Sequence, residues 1–438
     1  MLCVAFKQLG IAVPPVPVVL WRGCDICGLS QRMARHDGSH ESSSVGFARH
    51  LHFWPSVLAM LPCSTAAVII ANRPKEKDSL QTKADCYNMQ DVYLKQHFQG
   101  GHHTSADCIL HPGESCPLLS DTPTGEEIAC GSLRRFRMDY SGPQCLPWCG
   151  SGSRLGESDP SMESYHCYTA LIRTERINLK FLENAPGFPF QRWQQDVCAP
   201  GSHCVISKTA TFGPNDIGFP TLRLRLLGFQ TEDTRFTWHG PDTLDVTEDL
   251  LGIFGGSPGM YATDFVGLSV DRESYYKGLA RLRGIYSLPD GATFAALKID
   301  DIVPVCYRRH LKEYRQLAAH SPHKMVLCDL ATDPVARPGR AGMISPTSTK
   351  NTTLARVTAD GVGDALLTPA EAEFLHGWPS LPSLYTSQEA KEFATCQPFP
   401  DDLKITDNKK KAFTGNGQHL ACMARWFLYV VSHLSVAD

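Results

Sequence analysis

The sequence has no excess of positive charge, no internal repeat and no unbroken hydrophobic run of membrane length. Lys and Arg number 42 against 45 Asp and Glu, for a formal charge of −3. That balance excludes a globally basic nucleic-acid binder but leaves room for local fields. Three basic clusters stand out: Arg134, Arg135 and Arg137; Arg308, Arg309 and Lys312; and Lys409, Lys410 and Lys411. Each reads as solvated surface or as part of a groove. A secretory leader is not expected: the opening "MLCVAFKQLGIAVPPVPVVLW" is apolar but carries Lys7, three prolines and no basic start. The stretch Pro55 to Asn72 is interrupted by Pro62, Ser64 and Thr65. It reads as a buried element or an insertion rather than a membrane span.

Cysteine, by contrast, is plentiful, with 17 in 438 residues. A chain this long can build a core without disulfide staples, so the thiols are expected reduced and the protein nuclear or cytoplasmic. The length admits two or three domains.

Along the chain, "VPVVLW" reads as a buried strand that runs into Asp25. An acid there either caps the following helix or binds ribose hydroxyls of a nucleotide-like cofactor in an open α/β sheet. Residues 38–130 are polar and aperiodic and read as insertion or loop. "SGPQCLPWCG" then holds Cys145 and Cys149 in a Pro-rich turn. Asp159 and Pro160 open a helix carrying Tyr165, Tyr168, Leu171 and Ile172 at helical spacing, and "INLKFLENAPGFP" reads as a strand ending in Glu183 and Asn184. A strand, helix and parallel strand would bring the Cys loop and the Glu-Asn turn to one sheet edge, where ligands bind. "TLRLRLLGF" reads as a strand with Arg223 and Arg225 on one face. "LTPAEAEFLHGWP" carries a capping box, Thr368 with Glu371, and a Gly377 stop. "TGNGQHLACMARWFLYVVSHL" turns at Gly415 and Asn416 into an apolar helix.

These motifs, in this order, resemble the cytosine-C5 DNA methyltransferase family. "GPQCLPWC" is similar to its nucleophile loop, and "ENAPGF", 38 residues after Cys145, to its Glu-Asn-Val motif. "TLRLR" is similar to Gln-x-Arg-x-Arg, "LTPAEAEFLHGWP" to the Leu-Thr-Pro-x-Glu helix, and "GNGQHLA" to the closing Gly-Asn-Ala-Val turn. The resemblance implies an α/β, Rossmann-like S-adenosylmethionine-dependent methyltransferase fold with a smaller target-recognition module. It implies a catalytic domain over 1–225, that module over 226–362, and a closing segment, 363–438, returning to the catalytic domain. It gives Cys145, Glu183, Arg223 and Arg225 catalytic roles and places Asp25, Gly415 and Asn416 at the cofactor, S-adenosylmethionine. The substrate it implies is DNA, or tRNA for a close relative in the same class. Asp91 is a candidate for the family's third-strand acid. The sequence departs at Gln144, where the family keeps proline, at Thr221 for glutamine, and in lacking a counterpart of the Phe-x-Gly-x-Gly cofactor loop. A non-catalytic methyltransferase-like binding module is therefore the competing expectation. A zinc site from Cys24, Cys27, His36 and His40 is a further alternative, with a Cys27–His36 gap shorter than zinc fingers use.

Overall fold

The computed structural model describes residues 22–24, 52–54, 61, 63–97, 105–107, 115–117, 138–143, 147–148, 154–174, 177–199, 201–259, 261–269, 272–335, 345–346, 352–378, 380–381, 384, 406–407, 410 and 418–436. The α/β class expected from the sequence is what these residues show. They fall into two compact units. One comprises the described residues within Val13–Thr211, Arg225–Val246 and Val430–Asp438; the other comprises those within Phe212–Leu224 and Thr247–Tyr429.

The first unit runs through helices α1 (Cys63–Ala71) and α2 (Leu80–His97), then β1 (Met138–Ser141), α3 (Met162–Thr174), β2 (Leu179–Asn184), α4 (Phe190–Asp196), β3 (Ile206–Phe212) and β4 (Arg225–Thr231). The strand order is β1-β2-β4-β3, with β1 and β2 parallel and β4 antiparallel to β2. A parallel pair needs a long crossover, and α3 supplies it. β2 is the central strand. Phe181 is fully buried, with Tyr140 of β1 and Phe229 of β4 at ring separations of 6.1 and 5.1 Å. Lys180 on the same strand is buried too, and it is satisfied: its Nζ donates to the Val197 carbonyl and pairs with Glu232. Met162, Tyr165 and Ile172 of α3 pack with Phe190 and Trp193 of α4.

Residues 63–97 correct the expectation of an insertion or loop across 38–130. They form two helices that share a small core with α3, made of Ile69, Leu94, Cys167 and Ala170. Charge adds to it. Arg73 grips Glu163 through two 2.6 Å bonds. Asp91 meets His166 at 3.5 Å and Lys95 at 2.5 Å, and Lys95 reaches Asp196 on α4 at 3.4 Å. Asp91 thus sits on a helix in a buried ionic network and is not the acid of a third strand. Burial works to raise its carboxyl, but His166 and Lys95 outweigh burial and hold it down at about 2. Among the described residues no helix is long and apolar enough to cross a membrane.

The second unit contains α5 (Arg272–Arg281), α6 (Val305–His320), β5 (Met325–Asp329), β6 (Leu354–Thr358), β7 (Ala365–Leu366), α7 (Pro369–Leu375) and α8 (Leu420–Ser432). β5, β6 and β7 make an antiparallel sheet. Its core includes Tyr276, Ala280, Leu311, Tyr314, Val326 and Val357. The α7 capping box is as the sequence spells it: Thr368 Oγ1 accepts from Glu371 N, and Glu371 Oε2 accepts from Thr368 N at 2.8 Å. Glu371 is fully buried, and both its carboxylate oxygens accept from Arg272 Nη2, at 3.0 and 3.1 Å.

These contacts divide the chain differently from the expected domains. The 225/226 boundary falls at the first residue of β4, which pairs with β2 from Leu226 through Gln230 and so stays with the first unit's sheet. Residues 363–429 group with 247–362, because β7 pairs with β6 and Glu371 accepts from Gly267 N and Arg272.

Candidate active site

Three chain segments meet at one edge of the first unit's sheet: the carboxyl ends of the parallel strands β1 and β2, and the start of antiparallel β4. The register places Ser141 opposite Leu182, so β2 runs two residues further, through Glu183 and Asn184. On the other side Glu183 lies opposite Leu227 and Asn184 opposite Leu226. Arg225, the first residue of β4, lies close enough to pair diagonally: its Nε is 2.8 Å from Glu183 Oε1, with both side chains mostly buried. A partly buried carboxylate–guanidinium pair of this kind is held in direction as well as charge.

Asn184 joins this edge to the cysteine loop. It is 1% exposed. Its Nδ2 donates to the Pro143 carbonyl at 2.9 Å, and its Oδ1 accepts from Ala185 N at 2.8 Å. The far side of the loop is fixed as well. Pro147 O accepts from Gly156 N at 3.2 Å. The Trp148 ring meets Phe188 edge-on at 6.2 Å. Gly187 lies under the Trp148 main chain so closely that a Cβ there would sit 2.9 Å from Trp148 O. Only glycine leaves room for that approach.

Beneath the loop, the Tyr168 hydroxyl of α3 lies 2.7 Å from both the Asp139 carboxylate and the Ser141 hydroxyl, while Ser141 Oγ donates to Phe181 O. Burial, then the Asp139 charge, pushes the tyrosine well above its ordinary value, so it remains a donor.

Cys145 lies outside the described residues, between the anchored Pro143 and Pro147 in sequence. Cys149 also lies outside them, as do Asp25, Gly415 and Asn416, the residues that the resemblance places at S-adenosylmethionine. Cys27, His36 and His40 of the alternative zinc set lie outside too. Several described thiols are packing groups. Burial pushes Cys167 to about 12, Cys198 to about 11 and Cys328 well up, the opposite of what a reactive thiolate needs.

Glu183 and Arg225 are therefore brought together. Arg223 is not on their strand, which corrects the expectation that the two arginines share a strand face. The chain before β4 is drawn into the second unit: Thr221 bridges to Ser345, Thr221 Oγ1 donates to Leu375 O at 2.8 Å, and Leu222 N donates to Ser345 O. Arg223 is buried there, near His419. Burial first, then His376 and Arg223, push His419 well below its ordinary value. Sequence reasoning missed Asn184 and Tyr168 as positioning groups. Asn184 sat in view in "ENAPGF", but the carbonyl it holds has no side-chain signature.

No protein-family model and no curated protein matches the chain. Solved structures do. The methyltransferase EhMeth of Entamoeba histolytica is 13% identical with a TM-score of 0.39, over 95% of this chain and 98% of that one. The Spodoptera frugiperda DNMT2, solved as a mutant, is 12% identical with a TM-score of 0.41, over 98% of this chain and 96% of that one. The S. pombe Dnmt2 methyltransferase is 10% identical with a TM-score of 0.44, over 98% of this chain and 94% of that one.

Proposed function

We propose that this protein methylates C5 of a cytosine base in nucleic acid through a covalent bond from Cys145, with DNA the substrate its motif order resembles and tRNA the alternative. One observation carries the reading most: Asn184 ties the Pro143 carbonyl of the cysteine loop to the strand that presents Glu183, which in turn is held by Arg225.

The chemistry asks for these groups. C5 of cytosine is a poor nucleophile. Addition of a thiolate to C6 forms an S–C6 bond and moves the C5=C6 electron pair toward C5, which can then take a methyl group; loss of the C5 proton to a base restores C5=C6 and breaks the S–C6 bond, releasing the thiolate. Addition also places negative charge on the ring. Glu183 shares a proton with N3 and accepts from the exocyclic amine, which disperses that charge, and Arg225 fixes the direction of the carboxylate. Asn184, Gly187 and Tyr168 keep the loop and the strand end in register. When S-adenosylmethionine is bound it supplies the methyl group. Neither C5 nor C6 is reachable in a stacked duplex, so the base must leave the stack.

The test is trapping on oligonucleotides carrying 5-fluorocytosine, whose fluorine blocks release after methyl transfer. With cofactor added, the protein should form an adduct stable to denaturation, and Cys145→Ala should form none. An intact protein that forms no adduct on either DNA or RNA sinks the reading.

A further inference from the structure

The second half of α5 and the segment after it carry three cations and, beside them in sequence, two exposed side chains, one aliphatic and one aromatic. Lys277, Arg281 and Arg283 are all exposed. Leu282 is 69% exposed and Tyr286 75%. The local fold explains why. Helix α5 buries Tyr275, Tyr276 and Ala280. Its end is closed by bonds from Gly284 N to Arg281 O and from Ile285 N to Ala280 O, with Gly284 at φ +78°. A residue with a Cβ resists that conformation, so glycine sets the turn. Ile285 then packs against the unit's core, and Tyr286 beyond it projects into solvent.

Among the described residues these cations have no carboxylate partner. Glu273, the acid in the first turn of α5, is taken up by the backbone N–H groups of Phe294 and Ala295 at 2.9 and 2.8 Å. Lys277 stands 5.8 Å from the Phe294 ring. Among the described residues, no carboxylate lies within ion-pair distance of Lys277, Arg281 or Arg283, whereas Arg315, Arg272 and Arg309 of the same unit each have one. A solvated charged face does not require an exposed leucine between Arg281 and Arg283 or an exposed tyrosine just after them. A strand of nucleic acid with unstacked bases does: cations follow its phosphates while an aromatic ring takes a base face. Paired bases in a duplex offer no such face.

We infer that Lys277, Arg281, Arg283 and Tyr286 form a contact for a single-stranded segment of nucleic acid, with the cations on the phosphates and Tyr286 stacked on an unpaired base. The inference rests on the nucleic-acid substrate proposed above and narrows its form to an RNA loop or locally opened DNA.

The test measures fluorescence anisotropy of the full chain with a short single-stranded RNA, single-stranded DNA of the same sequence and the corresponding duplex DNA, across a salt series. The single strands should bind more tightly than the duplex, and the ratio of RNA to DNA identifies the source. Tyr286→Ala should weaken single-strand binding roughly 5- to 100-fold, while Tyr286→Phe should keep it. The Arg281→Ala/Arg283→Ala pair should lower the log–log salt slope by about 1.4. All these side chains are exposed, and matched thermal melts will show that the variants fold. Preference for the duplex, or an unchanged slope and affinity in the variants, overturns the contact. So does binding only to vesicles of phosphatidylcholine with phosphatidylserine. Adduct formation through Cys145 is read separately. A protein that holds single strands as described yet forms no adduct keeps the contact and loses the methyl-transfer reading; adduct formation indifferent to these substitutions does the reverse.

Discussion

Replacing Asn184 by aspartate keeps the side chain's size and its Oδ1 acceptor for Ala185 N, and removes the donor to Pro143 O. At neutral pH a carboxylate oxygen would then face a carbonyl oxygen across a contact that is now 2.9 Å. The site is nearly dry, since Asn184 is 1% exposed. An unsatisfied buried carbonyl costs about 1–3 kcal/mol, and repulsion from the charge adds to it, so the variant should lose about 2–4 kcal/mol. The sign with pH is distinctive. A protonated carboxyl restores the donor, so the folded state favours the neutral form and raises the aspartate above its unfolded value of about 3.9. The folded variant then binds the extra proton. Its deficit relative to the native protein should be smallest below about pH 4 and should grow as pH rises through the raised folded pKa. Urea unfolding of both proteins at several pH values measures this difference. The rate of 5-fluorocytosine adduct formation measures the loop: a shift of about 1 Å in a reacting group costs about 100-fold, and a loss of that order is expected at neutral pH. A variant that is destabilised as described but traps at the native rate would refute the claim that Asn184 positions Cys145. A deficit that stays flat with pH would refute the assigned hydrogen bond.

Two other outcomes follow from the geometry. Gly187→Ala places a methyl 2.9 Å from Trp148 O and should cost about 1–3 kcal/mol in urea unfolding, with adduct formation slowed as well; a neutral substitution would show that the loop does not rest there. His419 is buried with its pKa pushed down, so the unfolded chain takes up a proton that the folded chain refuses, and stability is lost as pH falls below about 6.5. Asp91, held at about 2, adds a second loss as pH falls from about 4 toward about 2. Thermal melts should therefore fall in two stages, and His419→Asn should flatten the first; a variant with unchanged pH dependence would remove His419 as its cause.

How much of this was legible in the sequence depended on where the signal lay. The Thr368–Glu371 capping box was readable because both partners stand three residues apart and act on each other's backbone. β2 and the apolar α8 were readable from hydrophobic pattern. α2 was not, and its side chains show why. Gln90 and Asp91 are buried beside Tyr87 and Leu94 while Met89 and Val92 are exposed, so polar and apolar groups are mixed on both faces and the amphipathic signal is erased. The start of β4 failed for another reason. Period-two spacing in "TLRLRLLGF" is real, but Thr221 and Leu222 are captured by Ser345 and Leu375, which are 124 and 154 residues away, and local pattern carries no trace of such partners. Glu183 was found by its motif, and its pairing with Arg225 follows from the register.

Among the described residues of the loop, Asn184 holds a main-chain carbonyl and no side chain. A latch of that kind is indifferent to spelling. Residue 143 can be replaced, and residue 144 can drift from proline to glutamine, without removing the atom being gripped, provided the chain still brings its carbonyl to the amide. Selection on this loop would then act on its path and spare its letters. Under that rule, relatives of this protein should be recognised by an asparagine at the strand end and a glycine under the tryptophan before they are recognised by the residues flanking the cysteine.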